Sequence, residues 1–420
     1  MYESALLEDA QEQVRLLKSA DIVIGITSYR NARTIGPVVR ASAQAVQQFY
    51  PGSRLVLVNV DANSSDGTAN AFMRARIPAE VERFSTGYAG LTGAGTATRA
   101  VFEVAARLQA QACVVLDAGL SNIRPQDIAA LIAPIVENRA HLVLPMHEWN
   151  YVDASLEDLI VYPMVRVMYG RDTRRPLPGG WALSGRLALA YAEQDVWETD
   201  AARSGIDVWL LVMALASDIP MVQVPVCRRS LSLVFGTTAY EQRFTHTIST
   251  LLRHLGSHQR VWRFVSEVLP TDTDGVMPPP CAPEERPTEE FWRGLQQGLK
   301  DWRRLFKRIM VPENHAAFLA LTQTDSPTNL EFDPTLWARM VMDFGVCFNK
   351  AELDPDKVAA SLAVPYYARS LALWNQLDRF GLEAYEDLIQ EQAKAFEQER
   401  DYLRDRWDSY VAWVSDAPVR

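Results

Sequence analysis

Runs of β-branched and aliphatic residues alternate with helix-length amphipathic segments through the first half of this chain, and that alternation constrains the fold most. ADIVIGITSY (20–29), SRLVLVNVD (53–61), ACVVLDAG (112–119) and HLVLPM (141–146) read as buried strands. Between them, ARTIGPVVRASAQAVQQFY (32–50), TATRAVFEVAARLQA (96–110) and PQDIAALIAPIVEN (125–138) carry helical spacing, and Pro125 suits a first helical position. A further strand, MVQVPVC (221–227), follows a long apolar segment. Strands and helices that alternate in this way predict an α/β class with a doubly wound parallel sheet. Its ligands sit at the carboxyl ends of the strands.

The pattern changes at LPTDTDGVMPPPCAPEERPTEE (269–290), which is rich in proline and acids and has no periodicity. We expect an α/β domain over 1–268, a linker over 269–290 and a helical domain over 291–420, ending in a long helix within DLIQEQAKAFEQERDYLRDRWDSYVAWV. The formal net charge of −10 and the lack of a lysine–arginine stripe argue against a nucleic-acid partner. No stretch has the apolar core of a signal peptide or the length of a membrane span. Cys113, Cys227, Cys281 and Cys347 lack metal or redox spacing, so they read as thiols in a reducing compartment, by default the cytoplasm.

Three acids fall at strand ends or in following loops: Asp61 in VNVDANSSDGT, Asp117 in VVLDAG and Asp207 in SGIDVW. Each alone fits a turn or helix cap; three on successive elements point to a cleft. GLTGAGT (90–96), which holds Gly93 and Gly95, precedes a helix as a phosphate cradle would, but matches neither GxGxxG nor a P-loop and on its own reads as a flexible loop. PLPGGWALSGR (176–186), with Gly179 and Gly180, has too many glycines and prolines for a regular element. Trp181 there could stack a sugar or be a core residue. His147 at a strand end is a ligand, a base or a packed histidine. Arg228 and Arg229 could grip a diphosphate or lie in solvent.

Taken in order, these segments resemble the GT-A-fold glycosyltransferases of the glucosylglycerate synthase and glucosyl-3-phosphoglycerate synthase type. The resemblance rests on DIVIGITSYRNARTIGPVV, LVNVDANSSDGT, GLTGAG, VVLDAGLSNIRP, YPMVRVMYGRDTRRPLPGG, LSGR, SGIDVWLLVMALA and, near the end, YLRDRWDSY. It implies a nucleotide-diphosphate sugar at the sheet's carboxyl edge, a divalent Mg²⁺ or Mn²⁺ on the diphosphate, and a small hydroxy-acid acceptor such as glycerate or 3-phosphoglycerate. It also places Tyr29, Asn31, Asp61, Gly93, Gly95, Asp117, Gly179 and Gly180 at the nucleotide sugar, with Asp117 as the metal position and Asp207 as the catalytic residue near the reacting sugar or acceptor; Arg228 or Arg229 beside them would offset the diphosphate charge.

Several positions depart from the family pattern. Where it reads SYNEA, this chain has Ser28-Tyr29-Arg30-Asn31-Ala32; a loop lysine becomes Ala94; the second acid of the metal motif becomes Gly119; an acid after the glycine pair becomes Trp181; and the histidine after MVQVPV is absent from CRRSLSLVFG. One carboxylate makes a weak Mg²⁺ or Mn²⁺ site, so metal is expected only with bound nucleotide. The departures leave a divergent hexosyltransferase, a catalytically inactive binding or regulatory homologue, and a nucleotidyltransferase as readings. Each is compatible with a homodimer.

Overall fold

The computed structural model describes residues 3–227 and 237–410, so Arg228 and Arg229 lie outside the described residues. Among the described residues ten strands occur in chain order: β1 (Ile22–Ser28), β2 (Leu55–Asp61), β3 (Glu82–Thr86), β4 (Ala112–Asp117), β5 (Leu142–Met146), β6 (Arg171–Asp172), β7 (Trp181–Ser184), β8 (Met221–Pro225), β9 (Leu269–Pro270) and β10 (Asp272–Thr273). The chain divides into two compact units that interleave along the sequence. The first comprises Met1–Trp149, Arg175–Ser230 and Thr271–Pro279; the second comprises Asn150–Arg174, Leu231–Pro270 and Pro280–Arg420.

In the first unit, eight strands form one sheet in the order β10-β8-β5-β7-β4-β1-β2-β3. All its pairings are parallel except those of β7, which runs antiparallel to both β4 and β5. The α/β class expected from the alternation is therefore present. One sheet face packs the apolar side of Ile35–Phe49, through Val38, Val39 and Val46, and of Pro125–Val136, through Ile128, Leu131 and Ile132, onto Ile22, Ile24, Ile26 and Val114. From β1 the chain winds outward to β2 and β3, then returns to β4 on the other side of β1. The carboxyl ends of β1 and β4 thus flank a topological switch point, where open α/β sheets present a crevice for ligands.

β7 corrects the expectation that PLPGGWALSGR holds no regular element. Trp181 pairs with Val115 of β4, and Ala182 pairs with Val143 of β5. The preceding glycine explains how a strand fits there: a Cβ on Gly180 would lie 2.9 Å from the Val115 carbonyl oxygen. β3 also escapes the hydrophobic pattern, because as an edge strand it buries only Phe84 and Thr86.

The second unit is mainly helical, and β6 pairs with β9 within it. Capping explains several helix starts. Asp333 and Asp354 each accept a backbone N–H two residues on, just ahead of Pro334 and Pro355 at the first helical positions. Phe291, Leu295 and Gly298 recur on the buried side of Thr288–Asp301, and Phe291 meets Trp374 with ring centroids 4.9 Å apart. The single long helix expected near the end is two, Tyr385–Gln398 and Arg400–Asp408. Between them Glu399 leaves helical geometry and its carboxylate receives Arg339 at 2.8 and 3.2 Å. Among the described residues no helix is long and apolar enough to cross a membrane.

Candidate functional site

The parallel register brings Ser28 at the end of β1 beside Asp61 at the end of β2. The Ser28 hydroxyl lies 2.8 Å from both Asp61 Oδ2 and Asn59 Oδ1, and its one proton serves one acceptor at a time. Asp61 is buried, and its Oδ1 accepts the Ser64 backbone N–H at 2.5 Å. Asp61 therefore organises the loop that follows it, as an Asx turn does.

That loop is stitched to the loop after β1. The backbone N–H groups of Arg30, Asn31 and Ala32 donate to Ser64 Oγ (2.8 Å), Thr68 Oγ1 (2.8 Å) and Asp66 Oδ2 (3.1 Å) in turn. The Thr68 hydroxyl donates to Asp66 at 2.5 Å, and this bond chiefly holds the Asp66 carboxyl below the usual carboxylate range. The edge of the crevice is thus a lattice of hydrogen bonds that fixes Tyr29 and Asn31. Tyr29 projects its ring 58% exposed, with the Arg30 guanidinium 5.4 Å from the ring centroid. Asn31 Oδ1 accepts the Tyr29 N–H at 2.9 Å, and its Nδ2 donates to Thr34 Oγ1 at 3.1 Å. A backbone N–H can only donate, so this bond fixes which end of the amide is oxygen.

Across the switch point, Asp117 ends β4 opposite Thr27 of β1. Its Oδ1 accepts the backbone N–H of Gly119 at 2.6 Å. A Cβ on Gly119 would lie 3.0 Å from Asp117 Oδ1 and 4.0 Å from Asn31 Nδ2, so the loops after β1 and β4 meet there. The surroundings of Asp117 do not fit a divalent metal. The nearest side chain from the β1 loop turns a donor nitrogen towards the spot, and among the described residues no three histidines, cysteines or acids converge. Mg²⁺ and Mn²⁺ need several oxygen ligands.

The glycine loop reaches the same edge through Tyr88. The Gly93 N–H donates to the Tyr88 hydroxyl at 3.1 Å, and the Tyr88 phenol is raised by burial and, to a lesser degree, by the Asp61 charge. Gly93 and Gly95 of this loop are needed for packing. A Cβ on Gly93 would fall 2.5 Å from Arg203 Cα, and one on Gly95 would fall 1.9 Å from the Ala201 carbonyl oxygen. Thr96 Oγ1 also reaches the Leu91 and Ala202 carbonyls, at 2.5 and 3.3 Å.

Asp207 lies in the first turn of the helix Ile206–Ala216, where an acid complements the helix dipole. Its Oδ1 accepts the Gly179 N–H at 3.2 Å and the Trp181 indole N–H at 2.9 Å. Gly179 has φ 64, in the left-handed region that glycine tolerates. Because Trp181 pairs with Val115, two residues before Asp117, this cluster also stands at the carboxyl edge of the sheet. Trp181 is buried, with its indole N–H committed to Asp207. Buried His147 donates through Nδ1 to the Cys227 carbonyl at 2.8 Å, a packed histidine tying two strand ends together.

Ser28, Ser64, Asp66, Thr68 and Tyr88 went unremarked as site residues in the sequence, although SSDGT carries the turn chemistry that three of them use. No protein-family model and no curated protein matches this chain. Among solved structures it is similar to glucosyl-3-phosphoglycerate synthase from Mycobacterium tuberculosis in complex with Mn²⁺, UDP and glucosyl-3-phosphoglycerate. That match has 16% identity and a TM-score of 0.43, covering 61% of this chain and 86% of the other. Another structure of the M. tuberculosis enzyme is 17% identical with a TM-score of 0.42, covering 58% and 85%. A structure described as a mycobacterial protein is 18% identical with a TM-score of 0.43, covering 58% and 78%. Likeness at this level carries no argument about chemistry, and the fold stands on the strand pairing itself.

Proposed function

We propose that the first unit binds a nucleotide-diphosphate sugar at the carboxyl edge of β1, β2 and β4, and that the chain transfers its hexose to a small hydroxy-acid such as glycerate or 3-phosphoglycerate. The observation that carries this reading is the meeting of the loops after β1 and β4 at the switch point, where Asn31, Gly119 and Asp117 approach one another. Tyr29 offers an exposed ring for a base or ribose, and Asp61 holds the loop after β2 to which the Tyr29 loop is hydrogen-bonded. We assign Asp207 to the sugar or its acceptor, with Gly179 and Trp181 fixing its orientation. The reaction joins the acceptor oxygen to the anomeric carbon as the nucleoside diphosphate leaves. Charge on the departing diphosphate must be offset, and the donor set at Asp117 does not fit a metal that would do so.

One observation favours a second reading, a binding homologue without turnover. Asp117 and Asp207, the acids that would do chemistry, each already spend an oxygen on donors of the protein itself. A panel of nucleotide sugars in thermal-shift assays, followed by release of nucleoside diphosphate with glycerate or 3-phosphoglycerate, separates the two. Stabilisation with turnover supports the transferase, because a ligand that binds the folded state raises the melting temperature by mass action. Stabilisation without turnover supports the binding homologue, and a panel with no stabilising member ends both.

A further inference from the structure

We infer that the diphosphate of the ligand is neutralised by guanidinium groups of the β1 loop, Arg30 and Arg33, in place of a divalent cation. This inference rests on the nucleotide-sugar reading above and specifies how its anion is held. Both sides of the exchange are visible in the structure.

On the metal side, two donors occupy the approach to Asp117. The Gly119 N–H donates to Oδ1 at 2.6 Å. The Asn31 amide, its oxygen fixed by the Tyr29 N–H and its Nδ2 donating to Thr34, holds that nitrogen 4.0 Å from where a residue-119 Cβ would stand, so it offers a cation no oxygen there. A cation there would meet N–H groups that repel it, and one carboxylate whose Oδ1 already accepts a hydrogen bond.

On the cationic side, Arg30 and Arg33 flank Asn31 in the same loop, both exposed. Neither guanidinium makes an ion pair among the described residues. By contrast Arg124, in the loop after β4, is tied to Asp127 by its Nε and Nη2 at 3.0 and 2.7 Å. Arg30 is held at its root rather than at its head: its backbone sits at φ 56, and its N–H is fixed on Ser64 Oγ. The lattice that orders this backbone thus presents an arginine head with no ion-pair partner among the described residues, next to the exposed ring of Tyr29. The net charge of −10 makes such a local cationic feature the more distinct. Guanidinium groups bind phosphate oxygens in bidentate fashion and stay charged at any working pH. A nucleoside diphosphate is the ligand class that uses an aromatic surface and this charge together.

The test is calorimetric titration of the full-length protein with UDP, GDP, ADP and inorganic pyrophosphate, each in EDTA and in Mn²⁺. At least one nucleoside diphosphate is expected to bind equally well, within about twofold, in both buffers, and more tightly than pyrophosphate. The double variant Arg30→Gln with Arg33→Gln should weaken that binding at least about tenfold, roughly the loss of one charge-assisted contact. Both residues are exposed, so the variant should fold, and an unchanged melting temperature checks this. The reverse exchange, Asn31→Glu with Gly119→Asp, should make binding dependent on Mn²⁺. Binding by the wild type only in Mn²⁺ overturns the inference and leaves the nucleotide-sugar reading standing, as does a double arginine variant that binds normally. Failure of every nucleoside diphosphate in both buffers overturns the reading itself.

Discussion

The carboxyl edge of the sheet in the first unit and the interior of the second both hold aspartates wrapped in hydrogen bonds, and they recruit opposite kinds of donor. At the edge, Asp61, Asp66 and Asp117 are served by backbone N–H groups and hydroxyls of their own and adjoining segments, and Asp207 by a backbone N–H and an indole. In the second unit, Asp158 and Asp343 are fully buried and served mainly by cations and phenols. Asp158 takes Arg174 Nη1 at 2.5 Å and the Tyr385 hydroxyl; Asp343 takes Asn314, Tyr402 and Arg406 at 2.8, 2.8 and 3.1 Å. Neutral donors shape a loop and leave the carboxylate its charge, which suits a surface that must meet ligands. Guanidinium partners cancel the charge, which burial requires.

Breaking the interior arrangement should therefore cost the most. Arg174 links Asp158 to Glu386, the latter through bonds of 3.1 and 2.9 Å, and lies 4.5 Å from the Tyr162 ring centroid. Arg174→Met is expected to remove about 3–5 kcal/mol from the stability of the second unit, because it strands a buried carboxylate. Urea unfolding followed by tryptophan fluorescence measures this. Adding Asp158→Leu should restore a large part of the loss, since an apolar pair replaces a buried ion pair at little net cost. If the double variant is no better than the single one, stranded charge is not the cause.

At the edge, the corresponding break is Trp181→Phe. It removes the indole donor from Asp207 Oδ1 while Gly179 keeps its own bond at 3.2 Å. We expect a loss of about 2 kcal/mol in the first unit, the range for a hydrogen bond to a charged group. That is smaller than for Arg174, because Asp207 is only partly buried and water can repair it. A loss equal to that of Arg174→Met would erase the distinction between edge and interior.

The same distinction explains what the sequence made legible. Strands buried on both faces, β1, β2, β4 and β5, announce themselves as unbroken aliphatic runs, and the switch point follows from their alternation with helices. β7 did not, because its residues sit behind Pro178, Gly179 and Gly180, and its place is set by a close approach to Val115 that composition cannot express. At the break between the last two helices, Glu399 pairs with an arginine 60 residues away, a partner that local sequence does not announce. At the site, Asp61, Asp117 and Asp207 could be singled out as acids at strand and helix ends. Their partners could not, since Ser64, Gly119 and Gly179 act through backbone N–H groups whose positions appear only once the loops are folded.

The smallest effect expected is also the one that sharpens the comparison by sign. Asp66 is held below the ordinary carboxylate range, first by the Thr68 hydroxyl and then by the backbone N–H groups of Ala32 and Thr68. Its unfolded counterpart takes up a proton first as pH drops, so its contribution is present above about pH 4 and lost as pH falls through the depressed folded value. Asp343 is displaced the other way: burial raises its carboxyl even though Asn314, Tyr402, Val311 and Arg406 pull it down. The folded state then binds the proton more tightly, so its contribution is complete below the ordinary value and is lost as pH rises through the raised one. Asp66→Asn and Asp343→Asn should therefore change the slope of stability against pH in opposite directions, read as urea midpoints from pH 3 to 7 relative to wild type. The Asp66 effect should shrink in 0.5 M salt, because that carboxylate is open to solvent, whereas the Asp343 effect should persist. Asp66→Asn should also weaken nucleoside diphosphate binding by loosening the Ala32 bond that helps to place Arg30 and Asn31. Slopes of the same sign would mean that the two aspartates are held by the same physics, and the contrast between edge and interior would fall.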